Sequence, residues 1–200
     1  MTGKIKKHLS ADPVMKELLQ TVTVEIPERP GNIYEALLRA IVGQQLSGKA
    51  AATIYSRFLD RYAGVVPEPS VLRSEEIDDL RSAGLSRQKA SYLLNVAAYF
   101  ENNSHLIADY HELSDEDIIQ ELTSIKGVGR WTVEMILMFT LNRPDVFPVD
   151  DLGIRNAMLK HYSLREEGRE LKRKMVEIAE QWRPYRSYAS YVLWRSLDQK

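Results

Sequence analysis

Segment after segment of this chain repeats its apolar residues at spacings of three and four, the period of one face of an α-helix. Ile33, Leu37, Leu38, Ile41 and Val42 form one stripe, and Ala51, Ile54, Tyr55, Phe58 and Leu59 form the next. Ser86 stands as an N-cap before a helix that buries Ala90, Leu93, Leu94 and Ala97. Ser114 opens "SDEDIIQELTSIKG", whose first turn carries three acidic residues, as the helix dipole favours. The stripe resumes at Val133, Ile136, Leu137 and Thr140, and again at Leu171, Met175, Ile178 and Trp182, before a last helix in "YRSYASYVLWRSL". Alternation of strand type is confined to a short run at 22–26, which Pro27 and Pro30 end. The pattern predicts an all-α fold with short connections. The clearest breaks, "AGVVPEPS" at 63–70 and "NRPDVFPVDD" at 142–151, suggest two helical lobes with a cleft between them.

Bulk composition removes several function classes. The chain has 200 residues, 44% of them apolar and 28% charged, enough for a sizeable core in one domain or two small ones. Cysteine is absent, which rules out disulfides, thiolate nucleophiles, Cys-ligated zinc and cysteine-held iron–sulfur clusters. His8, His105, His111 and His161 are scattered, with no pair at metal-ligand spacing. No run is long and apolar enough for a membrane span, and the N-terminus lacks the apolar stretch of a secretory signal. An intracellular protein that contacts no membrane is expected. The net charge of −1 gives no overall attraction to nucleic acid, so any such contact must be local.

The segment "SIKGVGRW", 124–131, sets two glycines at 127 and 129 between predicted helices, with Lys126 and Arg130 beside them. Two readings stand. The glycines serve a tight helix–helix turn, one of them as a C-cap. Alternatively, they strip away side chains so that a phosphate can approach the amides at a helix N-terminus. A similar pair of readings applies to Asp150 and Asp151, at a loop–helix junction before "LGIRNAMLKHY". One carboxylate can cap that helix; one can also point into a cleft.

Context beyond the glycines narrows these alternatives. "LTSIKGVGRWTVEMILMF" has the form of a helix–hairpin–helix, and it resembles the DNA-binding hairpin of base-excision glycosylases. "AIVGQQLSGKAA", "GVGRWT", "DVFPVDDLGIR" and "WRPYRSYASYVLWR" together resemble the 3-methyladenine DNA glycosylase II family (AlkA/Mag type), in the family's order from Ala40 to Arg195. The resemblance implies a single helix–hairpin–helix glycosylase domain over 1–200, without the sheet-rich N-terminal domain of larger members. Its lobes would be roughly 35–145, bearing the hairpin, and 1–34 with 146–200.

It also implies a reaction: monofunctional hydrolysis of the N-glycosidic bond of a flipped-out alkylated base in double-stranded DNA. Asp151 matches the family's catalytic carboxylate. Alignment on the proline of the oxidised-guanine glycosylases would instead select Asp150. The lysine that follows the hairpin in bifunctional members is replaced by Trp131, so no strand cleavage is expected. Trp194 matches a base-stacking tryptophan and Trp131 a second aromatic near the pocket, while Met135 stands where the family can offer a tyrosine. Gln45, followed by Leu46 and Ser47, matches the residue that fills the gap left by the flipped base. Lys126, Gly127, Val128, Gly129 and Arg130 would hold phosphates. The carbonyls of Thr123, Ile125 and Val128 would suit a monovalent Na+ or K+, with no cofactor required for the chemistry. A monomer is implied, acting in the cytoplasm or nucleoid of a prokaryote or the nucleus of a eukaryote. Two alternatives remain at this point: a glycosylase for another lesion, and a non-catalytic helix–hairpin–helix module that only binds DNA.

Overall fold

A computed structural model describes residues 1–24, 32–103, 110 and 112–198. Its elements in chain order are α1 (Gly3–Leu9), α2 (Pro13–Thr21), α3 (Ile33–Gly43), α4 (Gly48–Asp60), α5 (Pro69–Arg73), α6 (Ile77–Arg81), α7 (Arg87–Asn102), α8 (Asp115–Thr123), α9 (Arg130–Phe139), α10 (Leu152–His161), α11 (Gly168–Ala179), a 3-10 turn (Glu180–Trp182) and α12 (Arg186–Ser196). The described residues contain no strand, as the helical periodicity requires. Of the alternating run at 22–26, residues 22–24 follow α2 without regular secondary structure, and the other two lie outside the described residues.

Several helix starts are set by side-chain caps. Asn32 accepts from the Glu35 amide at 2.8 Å, Ser86 from Lys89 at 3.2 Å and Ser114 from Asp117 at 3.2 Å. Each such cap contributes about 1 kcal/mol by satisfying an amide that has no partner within its own helix. No helix of the described residues is long and apolar enough to cross a membrane.

The chain divides into two compact units, Met1–Arg29 with Leu137–Lys200, and Pro30–Ile136. The division falls inside α9, ahead of the 142–151 loop where the sequence suggested a break. The apolar stripe simply continues through Val133, Ile136, Leu137 and Met138, all buried.

In the 30–136 unit α7 is the central element, with α3, α5 and α6 packed against it. Leu37, Leu38, Ile41 and Val42 of α3 and Leu93, Val96, Ala97 and Phe100 of α7 are wholly buried. Each large aliphatic side chain taken out of water contributes about 1.5–3 kcal/mol.

In the other unit α12 takes the central place, beside α2, α10 and the 3-10 turn. It is buried on nearly every side, with Ala189, Val192 and Leu193 in the core and Ser187, Ser190 and Ser196 covered as well. Ser190 and Ser196 donate back to the Arg186 and Leu193 carbonyls at 2.9 and 2.7 Å, so these hydroxyls are buried with a partner. Trp182 fills the centre of this core, and its Nε1 donates to Asp12 Oδ2 at 2.9 Å. The Tyr162 hydroxyl donates to the same oxygen at 2.7 Å, while Asp12 Oδ1 caps α2. Burial, then the Asp12 carboxylate, pushes the Tyr162 hydroxyl far above its ordinary range.

Candidate active site

Asp151 sits at the end of the 142–151 loop, as the N-cap of α10. Its Oδ1 accepts the Ile154 amide at 2.8 Å and the Trp194 indole N–H at 2.7 Å. One oxygen therefore starts the helix and is tied to a side chain 43 residues away in the chain. Bonds to a charged acceptor contribute about 1.5–3 kcal/mol each, so this carboxylate is firmly oriented. Asp150, its neighbour, is half-exposed and pairs with Lys172 of α11. The two adjacent acids thus face different partners, which the sequence alone left open.

Room for the Asp151–Trp194 contact comes from Gly153. A Cβ there would lie 2.8 Å from Trp194 Cδ1, 3.0 Å from its Nε1 and 3.1 Å from Asp151 Oδ1. The Trp194 ring is stacked on Phe139, with centroids 5.8 Å apart at 23°, and tilted against Tyr191 at 6.0 Å.

The loop itself is pinned by the start of α12. The Ser187 hydroxyl donates to the Arg143 carbonyl at 2.7 Å and accepts the Val146 amide at 2.9 Å. The Arg186 guanidinium holds the Asp145 carboxylate and carbonyl at 2.8 Å each. The Tyr191 hydroxyl reaches the Met138 carbonyl at 2.9 Å. One helix thereby fixes the loop at its beginning and the carboxylate at its end.

In the other unit, the two hairpin glycines turn out to do different work. Gly127 has φ +106°, in the left-handed region, and a Cβ on it would fall 2.3 Å from Cγ of Tyr92. It is the turn glycine. Gly129 is exposed, has no positive φ, and a Cβ there meets nothing within 4 Å. Its carbonyl accepts the Val133 amide at 3.2 Å, which makes it the last residue before α9. Here the open approach to a helix N-terminus exists. Val128 is buried and its amide is committed to the Ile125 carbonyl at 3.0 Å, so the expected row of outward amides narrows to Gly129 and the first turn of α9.

Lys126 and Arg130 also differ. Lys126 is exposed beside the turn. Arg130 holds Glu116 through both terminal nitrogens, at 3.1 and 2.9 Å, and its Nε donates to buried Glu134 at 3.1 Å. The Arg130 guanidinium beside it keeps the Glu116 carboxyl below the usual range. The arginine braces α8 against α9, and its charge is already matched.

The hairpin carbonyls can be tested as a cation site. Ile125 O accepts the Val128 amide, leaving one of its two lone pairs. The Lys126 and Gly127 carbonyls, between the expected ligands, accept from Asn95 Nδ2 and Gln44 Nε2, each at 3.1 Å. Backbone oxygens from Thr123, Ile125 and Val128 are the hard donor type that suits Na+ or K+.

The α3–α4 corner carries Gln45, Leu46 and Ser47, all exposed, with Leu46 at 37%. Gln45 has φ +58°, an unusual value for a residue with a side chain. Ser47 caps α4 through the Ala50 amide at 3.4 Å. On α9, Trp131 is 46% exposed, so its indole is not core packing, and Met135 follows one turn later, half-buried on the same face.

The model of the HhH-GPD superfamily of base excision DNA repair proteins matches residues 38–184, a span that holds the corner, the hairpin and Asp151. The chain belongs to that superfamily. Within it, the chain groups with the 3-methyladenine DNA glycosylases. DNA-3-methyladenine glycosylase 1 of Schizosaccharomyces pombe is 38% identical over 201 residues, covering 96% of this chain and 86% of the relative. Bacillus subtilis YfjP, which carries the name of a DNA-3-methyladenine glycosylase, is 34% identical over 173 residues, or 84% of this chain. The superfamily member described here spans 60% of the length of YfjP. Among solved structures, S. pombe 3-methyladenine DNA glycosylase Mag1 in complex with abasic DNA superposes with a TM-score of 0.82 at 36% identity, covering 98% of this chain and 97% of that one. A DNA-3-methyladenine glycosidase from Bacillus halodurans gives 0.85 at 30% identity, over 99% and 90%.

Several supporting residues were not visible to sequence reasoning. Asp145 and Gly153 lie within "DVFPVDDLGIR", and Arg186 and Ser187 within "WRPYRSYASYVLWR", but nothing in either string assigns them a role. Gln44, Tyr92 and Asn95 act on the hairpin from 83, 35 and 31 residues away. Only the "GQQ" motif hinted at Gln44, through its neighbour.

Proposed function

We propose that this protein is a monofunctional DNA glycosylase that removes alkylated bases of the 3-methyladenine type from double-stranded DNA, inside the cell and as a monomer. The observation that carries the reading is the Asp151 carboxylate, held on Oδ1 by two fixed donors at the head of α10. Departure of a base leaves positive charge on the deoxyribose. A fixed negative group beside that sugar stabilises the oxocarbenium-like transition state, and it also orients or deprotonates the attacking water. Asp150, drawn to Lys172, supports this division of labour by lying elsewhere.

The 30–136 unit supplies the grip on DNA. The amides from Gly129 onward and the Lys126 ammonium meet backbone phosphates, and Gln45 with Leu46 fills the vacancy of the extruded nucleotide. In the 30–136 unit the exposed ring of Trp131 would favour a cationic alkylated purine, with attraction of roughly 0.5–2 kcal/mol, and in the other unit Trp194 is the ring that the family resemblance assigns to base stacking. Met135 contributes a softer wall than an aromatic would. A monovalent cation at the carbonyls of Thr123, Ile125 and Val128 would add positive charge beside a phosphate. With Trp131 directly after the hairpin arginine, no lysine is present there to form a Schiff base.

The test is base release from methylated duplex DNA by the parent, Asp151→Asn and Asp150→Asn. The reading expects Asp151→Asn to lose excision by orders of magnitude while still binding DNA, and Asp150→Asn to remain active. Loss in Asp150→Asn alone would move the chemistry one residue back. Borohydride trapping on abasic DNA should give no covalent adduct; a stable one would refute the monofunctional mechanism.

A further inference from the structure

We propose that Gln44 is a positioning residue that sets the Gln45–Leu46 tip in register with the hairpin, so that filling the vacated stack and gripping the backbone occur as one event. The inference rests on the glycosylase reading above and goes beyond it. All of its parts lie within the 30–136 unit.

Gln44 Nε2 donates to the Gly127 carbonyl at 3.1 Å, joining the corner to the hairpin across 83 residues of chain. A carbonyl accepts only, so the amide N–H is the group that fits; a carboxylate or a thioether at 44 cannot make this bond. The same bond commits the Gln44 side chain inward and leaves Gln45 as the one directed to the tip.

The strain next door supports the link. Gln45 at φ +58° costs on the order of 1–3 kcal/mol, and such a conformation persists only where its surroundings hold it. Two anchors do so. Gln44 holds the side facing the hairpin. Lys89 Nζ, from α7, donates to the Val42 carbonyl at 2.8 Å, near the end of α3. Lys89, Tyr92 and Asn95 follow one another at i, i+3 along α7 and so share a face. Tyr92 lies against Gly127, and Asn95 holds the Lys126 carbonyl at 3.1 Å. The face of α7 is thus a rail that carries the corner at one end and the hairpin at the other. Gln44 closes the circuit directly between the two loops.

The experiment compares the parent with Gln44→Met, which keeps the side chain's length, with Gln45→Ala, and with the double variant. Four quantities are read: single-turnover base release, emission of 2-aminopurine placed beside the lesion, affinity for undamaged duplex, and melting temperature. Loss of one neutral hydrogen bond predicts a fall of roughly three- to tenfold in base release and in 2-aminopurine unstacking for Gln44→Met. Undamaged-duplex affinity should stay within about twofold and the melting temperature within about 3 °C. Added to Gln45→Ala, Gln44→Met should change release little further, because its effect passes through the tip.

Additive losses would overturn the proposal, as would an unchanged Gln44→Met. Parallel losses of melting temperature and undamaged-duplex affinity would reduce Gln44 to a structural bond and also overturn it. The readouts separate this inference from the one beneath it. If the parent releases no base, the glycosylase reading fails, and 2-aminopurine unstacking still decides the coupling. If the parent is active and Asp151→Asn is not, a neutral Gln44→Met refutes the positioning role alone.

Discussion

Replacing each hairpin glycine by alanine should separate folding from DNA binding. At Gly127 two costs combine. The backbone holds φ +106°, where a side chain costs about 1–2 kcal/mol. The new Cβ also lies 2.3 Å from Tyr92 Cγ and 2.6 Å from Cδ1 and Cδ2, the root of the ring rather than a flexible tip. Overpacking of this kind adds about 1–3 kcal/mol. Gly127→Ala should therefore destabilise the protein by roughly 2–5 kcal/mol, a fall in melting temperature of about 4–20 °C at this chain length. Gly129→Ala meets nothing within 4 Å and should leave the melting temperature within a few degrees. Its Cβ would instead occupy the approach to the first amides of α9. Losing one charge-assisted bond to a phosphate weakens abasic-duplex affinity by about ten- to a hundredfold. Thermal melting and fluorescence anisotropy on both variants decide the matter. If Gly129→Ala binds as the parent does, or if Gly127→Ala melts with the parent, the division of roles is wrong.

Other outcomes follow from the same geometry. Asparagine at 151 presents a carbonyl oxygen to both Ile154 and Trp194, so Asp151→Asn should melt near the parent, while Asp151→Ala should lose about 0.5–2 kcal/mol through the cap alone; equal melting of the two would refute the capping role. Gly153→Ala forces the Trp194 ring away from Asp151, and loss of that bond predicts a drop of roughly tenfold or more in single-turnover excision, with DNA affinity unchanged. On the alkaline side, burial pushes the Tyr62 and Tyr110 hydroxyls from 10.0 up to about 12. A raised folded-state value means that their contribution is intact below pH 10 and is lost as the pH climbs through about 12, so melting temperatures should fall across that window. A flat profile from pH 9 to about 12 would contradict the burial of these phenols.

The secondary structure was legible because local rules and global packing agree here. Ser47, Ser86 and Ser114 cap the helices they precede, and the three-and-four stripes mark the inward faces, although Ala51, Ile54, Leu59, Leu94 and Ile178 within them are only partly buried. Helices α5 and α6, of five residues each, are too short to show a period, and they escaped, as did α1 and α2 near the N-terminus. Family membership was legible too, since four motifs in order are jointly specific. Side-chain partners were not. Nothing in "SIKGVGRW" tells that one glycine yields to a tyrosine ring while the other faces open space, or that Arg130 is claimed by Glu116 and Glu134. Nor does "VDD" reveal that the second acid meets an indole and the first a lysine. Such pairings join residues tens of positions apart and depend on distances of a few tenths of an ångström, which periodicity does not encode.

The matched charge on Arg130 has a consequence for how this protein would travel along a genome. A surface that carries net charge −1, and whose hairpin arginine already faces two carboxylates, releases few counterions when it meets a duplex. If the chain grips DNA as proposed, its hold on ordinary sequence would depend on the few local contacts at the hairpin and would weaken only modestly with ionic strength. Visits to intact DNA would then be short, with lasting residence left to sites where a base has already come loose.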